Sequence, residues 1–249
     1  MYGNSAQELF PGAADYGDHL AALEHDRQCR PQSRIVFLKA HKCASSTIQN
    51  LFMRYGFFND LLFVLPAKGN YLGHPAPFNR HMVPPSGPAF NYSILTHHSR
   101  LQVEEMRALI PGAPFITIIR NPVALFESMF HYYKLAKTWK VDWSALNNAS
   151  FEVPERVRSV RLARRIGLNQ MSFDLGLEPA EFNNRTAVER FISRLDSVFS
   201  LVMVSERMEE SLVLLRELLC WDYEDMVVFK VGIVVVRFLR LSNDYLFDH

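Results

Sequence analysis

The chain of 249 residues is 49% hydrophobic and 21% charged, which is enough apolar material to bury the core of one α/β domain. Its 27 basic and 26 acidic side chains leave a formal net charge of +1. This balance excludes a polyanion such as nucleic acid as the main partner, so any recognition of an anion must be local.

Residues 1–33 are polar and mixed, and we expect them to form a lead-in to the domain. They lack the basic segment followed by an apolar segment that marks a signal peptide. No apolar stretch reaches the ~20 residues that a membrane-spanning helix needs. The cysteines, Cys29, Cys43 and Cys220, are three in number without C-x-x-C spacing, so they predict neither a zinc site nor a full disulfide framework.

A strand, a loop and a helix are predicted where regular patterning begins. The apolar run from Ile35 to Leu38 predicts a strand, and Ile48, Leu51 and Phe52 recur at helical spacing. The segment between carries two lysines, a histidine and three hydroxyl side chains: Lys39, His41, Lys42, Ser45, Ser46 and Thr47. Backbone N–H groups and the positive end of the dipole attract anions at such a helix start. We therefore predict a phosphate or sulfate-ester site.

An ATP-binding P-loop is the obvious alternative for this segment. That motif needs two glycines, which let the backbone wrap the phosphates, followed by Lys and Ser or Thr. No glycine occurs between Lys39 and Thr47. The missing glycines disfavour a kinase of the P-loop type.

Residues 66–88 are rich in proline and glycine, and loops of this length in a compact domain are usually functional or disordered. Asn70, Tyr71 and His74 are types that stack on sugars or hydrogen-bond to them, so we predict an acceptor-binding loop. A surface loop with incidental aromatic residues is the alternative. The strand predicted at residues 92–96 is followed by His98, at the kind of strand end where open α/β sheets bind ligands.

A second candidate anion site follows the buried strand predicted at residues 114–119. Arg120 stands at the strand end, Asn121 suits the N-cap of the next helix, and Pro122 suits its first position. Ser128 lies about two turns into that helix. A guanidinium and a hydroxyl placed in this way can clamp one phosphate from two sides, with the arginine supplying a bidentate fork.

Further elements are predicted toward the end of the chain. A helix with a basic face is predicted at residues 154–168. Further helices are predicted at residues 184–195 and 208–219, and a strand is predicted at residues 200–204. The alternation of strands and helices favours a three-layer α/β fold with a mainly parallel central sheet.

The segment FLKAHKCASSTIQN resembles the FLKTHKTASST motif of the galactose-3-O-sulfotransferase family, and ITIIRNPVALFESMFHYY resembles the family's 3′-phosphate segment. LPAKGNYLGHPAPF, LNQMSFDLGL and SERMEESLVLLRELLCW are similar to further family segments. The resemblance covers residues 34–226 as one domain. It implies a P-loop-like sulfotransferase fold and 3′-phosphoadenosine 5′-phosphosulfate (PAPS) as co-substrate. Residues 227–249 depart from the family, and we expect them to be a divergent, truncated tail.

The resemblance and the residue chemistry together suggest roles. Lys39, His41 and Lys42 are the expected catalytic residues, with His41 as the base, because an imidazole between two cations favours its neutral form; another histidine or a glutamate is the alternative. The expected donor-binding residues are Lys39, Lys42, Ser45, Ser46, Thr47, Arg120, Ser128 and Asn169, while Ser172 and Asp174 would help to shape the nucleotide pocket. The expected acceptor-binding residues are Asn70, Tyr71, His74 and His98. No metal is expected, because the lysines supply the positive charge.

The resemblance also implies a reaction and a location. The reaction is transfer of a sulfuryl group to the 3-hydroxyl of a galactose in a glycolipid or glycoprotein glycan. The location is the Golgi lumen, where family members are held by a membrane anchor that precedes the catalytic domain and is not visible in this sequence. The resemblance is also compatible with a homodimer. Sequons at Asn91, Asn148 and Asn184 suit a luminal domain. The alternative is a catalytically inactive or truncated protein of the same fold that binds nucleotide or glycan without transfer.

Overall fold

The computed structural model describes residues 29–83, 91–140 and 166–228. Outside these ranges lie the predicted lead-in up to residue 28, residues 154–165 of the predicted basic helix, the sequon at Asn148 and the tail from residue 229.

Five strands form one parallel sheet in the described residues, in the order β2-β3-β1-β4-β5. They are β1 (Ile35–Leu38), β2 (Phe63–Val64), β3 (Ile94–Leu95), β4 (Phe115–Ile119) and β5 (Leu201–Val204). The α-helices are α1 (Ser45–Phe58), α2 (Val103–Leu109), α3 (Pro122–Tyr132), α4 (Leu135–Trp139), α5 (Gln170–Asp174), α6 (Arg185–Val198) and α7 (Met208–Leu219). Short 3₁₀ helices lie at Arg80–Met82, Pro179–Glu181 and Ser205–Arg207. Within the described ranges, no helix combines the length and the hydropathy that crossing a bilayer requires.

Helices cover both faces of the sheet. Every residue of β1 is buried, and successive strand residues point to opposite faces. Ile35 and Phe37 therefore share one core with apolar side chains of α1 and α7. Val36 and Leu38 share the other core with α2 and, at its margin, α6. The predicted three-layer α/β fold with a parallel central sheet is confirmed.

Local sequence signals placed most element boundaries correctly. Helix α7 has the predicted bounds, and the side chain of Asn121 caps α3 by accepting hydrogen bonds from the first two N–H groups beyond Pro122. Helix α1 continues through Gly56 to Phe58, and Gly56 packs so closely on Phe63 of β2 that a Cβ there would lie 2.5 Å from the Phe63 ring. Strand β3 is shorter than predicted, because its pairing with β1 is limited to Ile94 and Leu95.

A disulfide joins Cys29 to Cys220. The odd number of cysteines did not predict this bridge. The two residues are 191 positions apart, so no local spacing could predict their pairing. Beside the bridge, the Gln32 N–H donates to the Leu219 carbonyl at 2.8 Å, and the indole N–H of Trp221 donates to the Gln32 carbonyl at 2.9 Å. The bridge thus fastens the segment before β1 to the end of α7.

We predict that replacing Cys29 and Cys220 together by serine lowers the free energy of unfolding by about 2–5 kcal/mol, because the bridge restricts the unfolded chain. Urea denaturation followed by tryptophan fluorescence measures the change, since Trp221 is fully buried beside the bridge. Reducing agent should destabilise the native protein and leave the double variant unaffected. Equal stability of the two proteins would contradict a formed bridge.

Candidate active site

Polar segments meet at the carboxyl end of the sheet, where parallel α/β sheets bind ligands. Residues 39–44, called here the anion loop, lead from β1 to α1; residues 96–100 follow β3, and Arg120 follows β4. Because β1 pairs with both β3 and β4, the anion loop lies between the other two segments.

Side chains hold each carbonyl oxygen from residue 39 to residue 42. The donors, in chain order of the carbonyls, are His98 Nδ1 (2.9 Å), Ser45 Oγ (2.6 Å), Cys43 Sγ (3.3 Å) and Arg120 Nη1 (3.1 Å). The first N–H groups of a helix have no acceptor within the helix. With its carbonyl groups engaged in this way, the loop offers N–H groups to an anion.

The anion loop makes its turn without glycine. Lys42 and Ala44 have φ angles of 56° and 58°, in the left-handed region that costs a residue with a side chain roughly 1–2 kcal/mol. The bonds to the carbonyl groups stabilise this conformation. The loop thus reaches, with support from other segments, a tight turn of the kind that a P-loop makes with glycine.

The two lysines of the loop have different surroundings. Lys39 is only 3% exposed; its ammonium donates to Gln49 Oε1, and Gln49 Nε2 donates to the Thr96 carbonyl at 2.9 Å. Burial lowers the pKa of Lys39 to about 8. Lys42 is partly buried, and its Nζ lies 3.7 Å from the ring centre of Tyr132. Lys39 is therefore held through α1 and the segment that follows β3, whereas the Lys42 ammonium lies over an exposed aromatic ring.

His41 is the buried centre of a polar network. Its ring Nδ1 donates to Asp174 Oδ2 at 2.8 Å, and its backbone N–H donates to the same oxygen at 2.9 Å. With the proton on Nδ1, the lone pair is on Nε2, which lies 3.4 Å from the Tyr71 hydroxyl. This is the arrangement of a general base that a carboxylate orients.

Asp174 is fully buried and accepts four hydrogen bonds. Two come from His41, and the other carboxylate oxygen accepts from His74 Nε2 at 3.1 Å and Gln170 Nε2 at 2.8 Å. Burial alone would raise the pKa of Asp174, but the charge and hydrogen bonds of His41 and His74 hold that pKa well below its usual range. The carboxylate therefore remains ionised beneath the base.

His41, His74 and Asp174 also have the residue types of a metal site, and their ligand atoms lie within 4.8 Å of one another. A carboxylate, however, has about four lone-pair positions, and four donors engage this one. A metal ion would have to displace them. The donor set fits a hydrogen-bonded base better than a metal centre.

Two further rings stack on His41. The ring centre of His98 lies 4.1 Å away and that of Tyr71 lies 5.9 Å away. Burial, and then the nearby His41 and Lys39, lower the pKa of His98 to about 2, so His98 is neutral. Of the four residues predicted to bind the acceptor, His74 and His98 are buried around the base, Tyr71 is partly exposed, and Asn70 is exposed.

The second predicted anion site adjoins the first. Arg120 is partly buried; its Nη1 donates to the Lys42 carbonyl, and its backbone N–H donates to Met171 Sδ at 3.3 Å. Ser128 is partly buried on α3, and Asn169 is exposed directly before α5. Since Met171 belongs to α5, the segment that carries Asn169 lies beside Arg120 as well.

Sequence reasoning missed the residues that hold the base and the buried lysine. It assigned Asp174 to the nucleotide pocket, and it named the flanking lysines as the charged neighbours of His41. In the structure the Asp174 carboxylate contacts the imidazole, while Lys39 and Lys42 point to Gln49 and Tyr132. The FDLGL segment was the available signal for Asp174, but nothing in it pointed to His41.

The chain is similar to known proteins over most of its length. The family model described as galactose-3-O-sulfotransferase matches residues 2–245. Galactosylceramide sulfotransferase of Mus musculus is 38% identical over 212 residues, which are 82% of this chain and 49% of the mouse protein. Galactose-3-O-sulfotransferase 3 of Bos taurus is 34% identical over 83% of this chain and 50% of its own length, and galactose-3-O-sulfotransferase 2 of Homo sapiens is 33% identical over 81% and 52%. The chain spans about half the length of the curated relatives it matches.

We predict that the affinity for 3′-phosphoadenosine 5′-phosphate (PAP) falls about tenfold per pH unit once the pH rises above about 8. Below this pKa, Lys39 is charged and attracts the anion; above it, binding must first restore the proton. Calorimetric titrations on either side of the pKa measure the slope. Lys39→Arg should flatten the slope, because a guanidinium stays charged, and an unchanged slope in that variant would exclude Lys39 as its source.

Proposed function

Because the chain belongs to the galactose-3-O-sulfotransferase family, we propose that it transfers a sulfuryl group from PAPS to the 3-hydroxyl of a galactose in a glycolipid or glycoprotein glycan. One observation carries the proposal: the buried, carboxylate-oriented imidazole of His41 belongs to the same loop as Lys39 and Lys42, and side chains engage the carbonyl groups of that loop. Sulfuryl transfer to a hydroxyl requires both a base and fixed positive charge.

Two adjoining anion sites fit a donor that is charged at two positions. The residues that would hold the 5′-phosphosulfate are Lys39, Lys42, Ser45, Ser46 and Thr47. The Ser45 hydroxyl donates to the Ala40 carbonyl, so its contact with a ligand would require exchange of that bond. Arg120 and Ser128 would hold the 3′-phosphate, and Asn169 would line the nucleotide beside them.

His41 would take the proton of the acceptor hydroxyl. As the acceptor oxygen forms its bond to sulfur, the proton moves to Nε2, which carries the lone pair. The imidazolium that results is stabilised by Asp174, whose oxygen is 2.8 Å from Nδ1. The backbone bond from His41 to the same oxygen keeps the ring in position during the transfer.

The bond from sulfur to the bridging oxygen breaks as the new bond forms, and its electron pair stays on the departing bisphosphate. Lys39 and Lys42 would stabilise the charge that develops there. The bond from Lys39 to Gln49 fixes one of these ammonium groups before substrate arrives, so less reorganisation is needed during the reaction.

Tyr71 and Asn70 are the acceptor-binding candidates with exposed surface. The Tyr71 hydroxyl, 3.4 Å from His41 Nε2, marks the position beside the base that an acceptor hydroxyl would take. We place the reaction in the Golgi lumen, part of the secretory route in which a bridge such as Cys29–Cys220 persists.

We predict that Asp174→Asn lowers kcat by about 10²–10⁴-fold with little change in the KM for the donor, because an amide neither stabilises the imidazolium nor selects the Nδ1–H tautomer. Steady-state kinetics measure kcat and the KM for the donor separately. Gln170→Leu is the matched control: it removes a donor from the same carboxylate without changing its charge, so its effect should be much smaller. Equal losses in the two variants would show that Asp174 acts only through packing.

Transfer itself is tested with PAPS that carries radiolabelled sulfate and with galactosylceramide or a lactoside as acceptor. We expect label on both galactosides and none on a galactoside methylated at O3. His41→Ala should abolish transfer and retain PAP binding. Binding of PAP by the native protein without transfer to any galactoside would support the inactive binding protein instead, and phosphate transfer from ATP would support a kinase.

A further inference from the structure

Arg120 is bonded to the backbone of the anion loop. Its Nη1 donates to the carbonyl oxygen of Lys42 at 3.1 Å, across 78 residues of sequence. A guanidinium carries five N–H donors, so this bond leaves others for a phosphate. The residue that follows β4 is thereby attached to the loop that follows β1.

The bond supports a residue in an unfavourable conformation. Lys42 has a φ of 56°, and the carbonyl groups before it are held by His98, Ser45 and Cys43. The Lys42 carbonyl is held by Arg120. If that bond is lost, the peptide unit between Lys42 and Cys43 can rotate, and the N–H that it contributes to the anion site turns with it.

Arg120 also lies close enough to the Lys42 side chain for their charges to interact. After the larger effect of burial, the Arg120 guanidinium lowers the pKa of Lys42, which means that the two positive charges repel each other. An anion near the loop is attracted by both charges, so a group that contacts one of these cations is also stabilised by the other.

We propose that Arg120 is a positioning residue of the anion loop as well as a ligand of the 3′-phosphate, so that the binding of the 5′-phosphosulfate group also depends on Arg120. This inference rests on the proposed PAPS-dependent function. Its consequence is that the affinity for a nucleotide without a 3′-phosphate still depends on Arg120.

The test compares the binding of 5′-AMP, 3′-AMP and PAP to the native protein and to the variants Arg120→Ala, Arg120→Lys and Ser128→Ala by calorimetry. Both Arg120 variants should weaken 5′-AMP binding about tenfold, although this ligand lacks the 3′-phosphate. The lysine variant keeps the charge and loses the fork that reaches the Lys42 carbonyl. Ser128, for which the described residues show no bond to the loop, is the control: Ser128→Ala should weaken only 3′-AMP and PAP.

Hydrogen exchange of the ligand-free proteins gives a second measurement. The amides of the anion loop should exchange faster in both Arg120 variants than in the native protein, and at the native rate in Ser128→Ala. Native 5′-AMP affinity in either Arg120 variant, together with PAP binding by the native protein, would overturn the positioning role and leave the proposed function standing. Failure of the folded native protein to bind PAP would overturn the proposed function itself.

Discussion

The buried carboxylate of Asp174 is the constraint on which the rest of the site depends. An ionised group without exposure to water is costly unless donors surround it, and here donors come from the loop after β1, the segment before β3 and helix α5. His41 and Asp174 are 133 residues apart, so the site forms only when these segments meet. Arg100 secures the arrangement from the far side by donating to the carbonyl groups of Phe173 and Leu177 at 2.9 and 3.0 Å. A single charge thereby orders the His41 imidazole and the three segments around it.

As a proposed phosphate site, the anion loop is built differently from a glycine-rich loop. A glycine-rich loop relies on residues that adopt left-handed angles at little cost. This loop relies on neighbours, since His98 and Arg120 bind two of its carbonyl groups from adjacent strand ends. The cost is that the turn is stable only within the folded sheet. The benefit is that Lys39, His41 and Lys42 occupy positions that glycines would otherwise take.

The sequence predicts those features of the structure that depend on local residue patterns. Apolar runs and capping residues such as Asn121 located the strands and helices, and the same reasoning brought the anion loop and Arg120 to one end of the sheet. Residue roles that depend on long-range contacts could not be predicted from the sequence. His74 has the chemistry of a sugar ligand in its loop, yet the fold turns it onto Asp174, and Gln49 is indistinguishable from a surface residue of an amphipathic helix until Lys39 is seen beside it.

The bridge between Cys29 and Cys220 has a mechanical consequence. Both cysteines lie at the margins of the domain, and the five strands that the structure describes fall between them in sequence, as does every residue of the candidate active site. A pulling force applied to the chain outside these two residues would pass through the sulfur–sulfur bond and not through the sheet. The end of the sheet that holds the candidate active site would therefore remain unloaded while the polypeptide on either side of it is under tension.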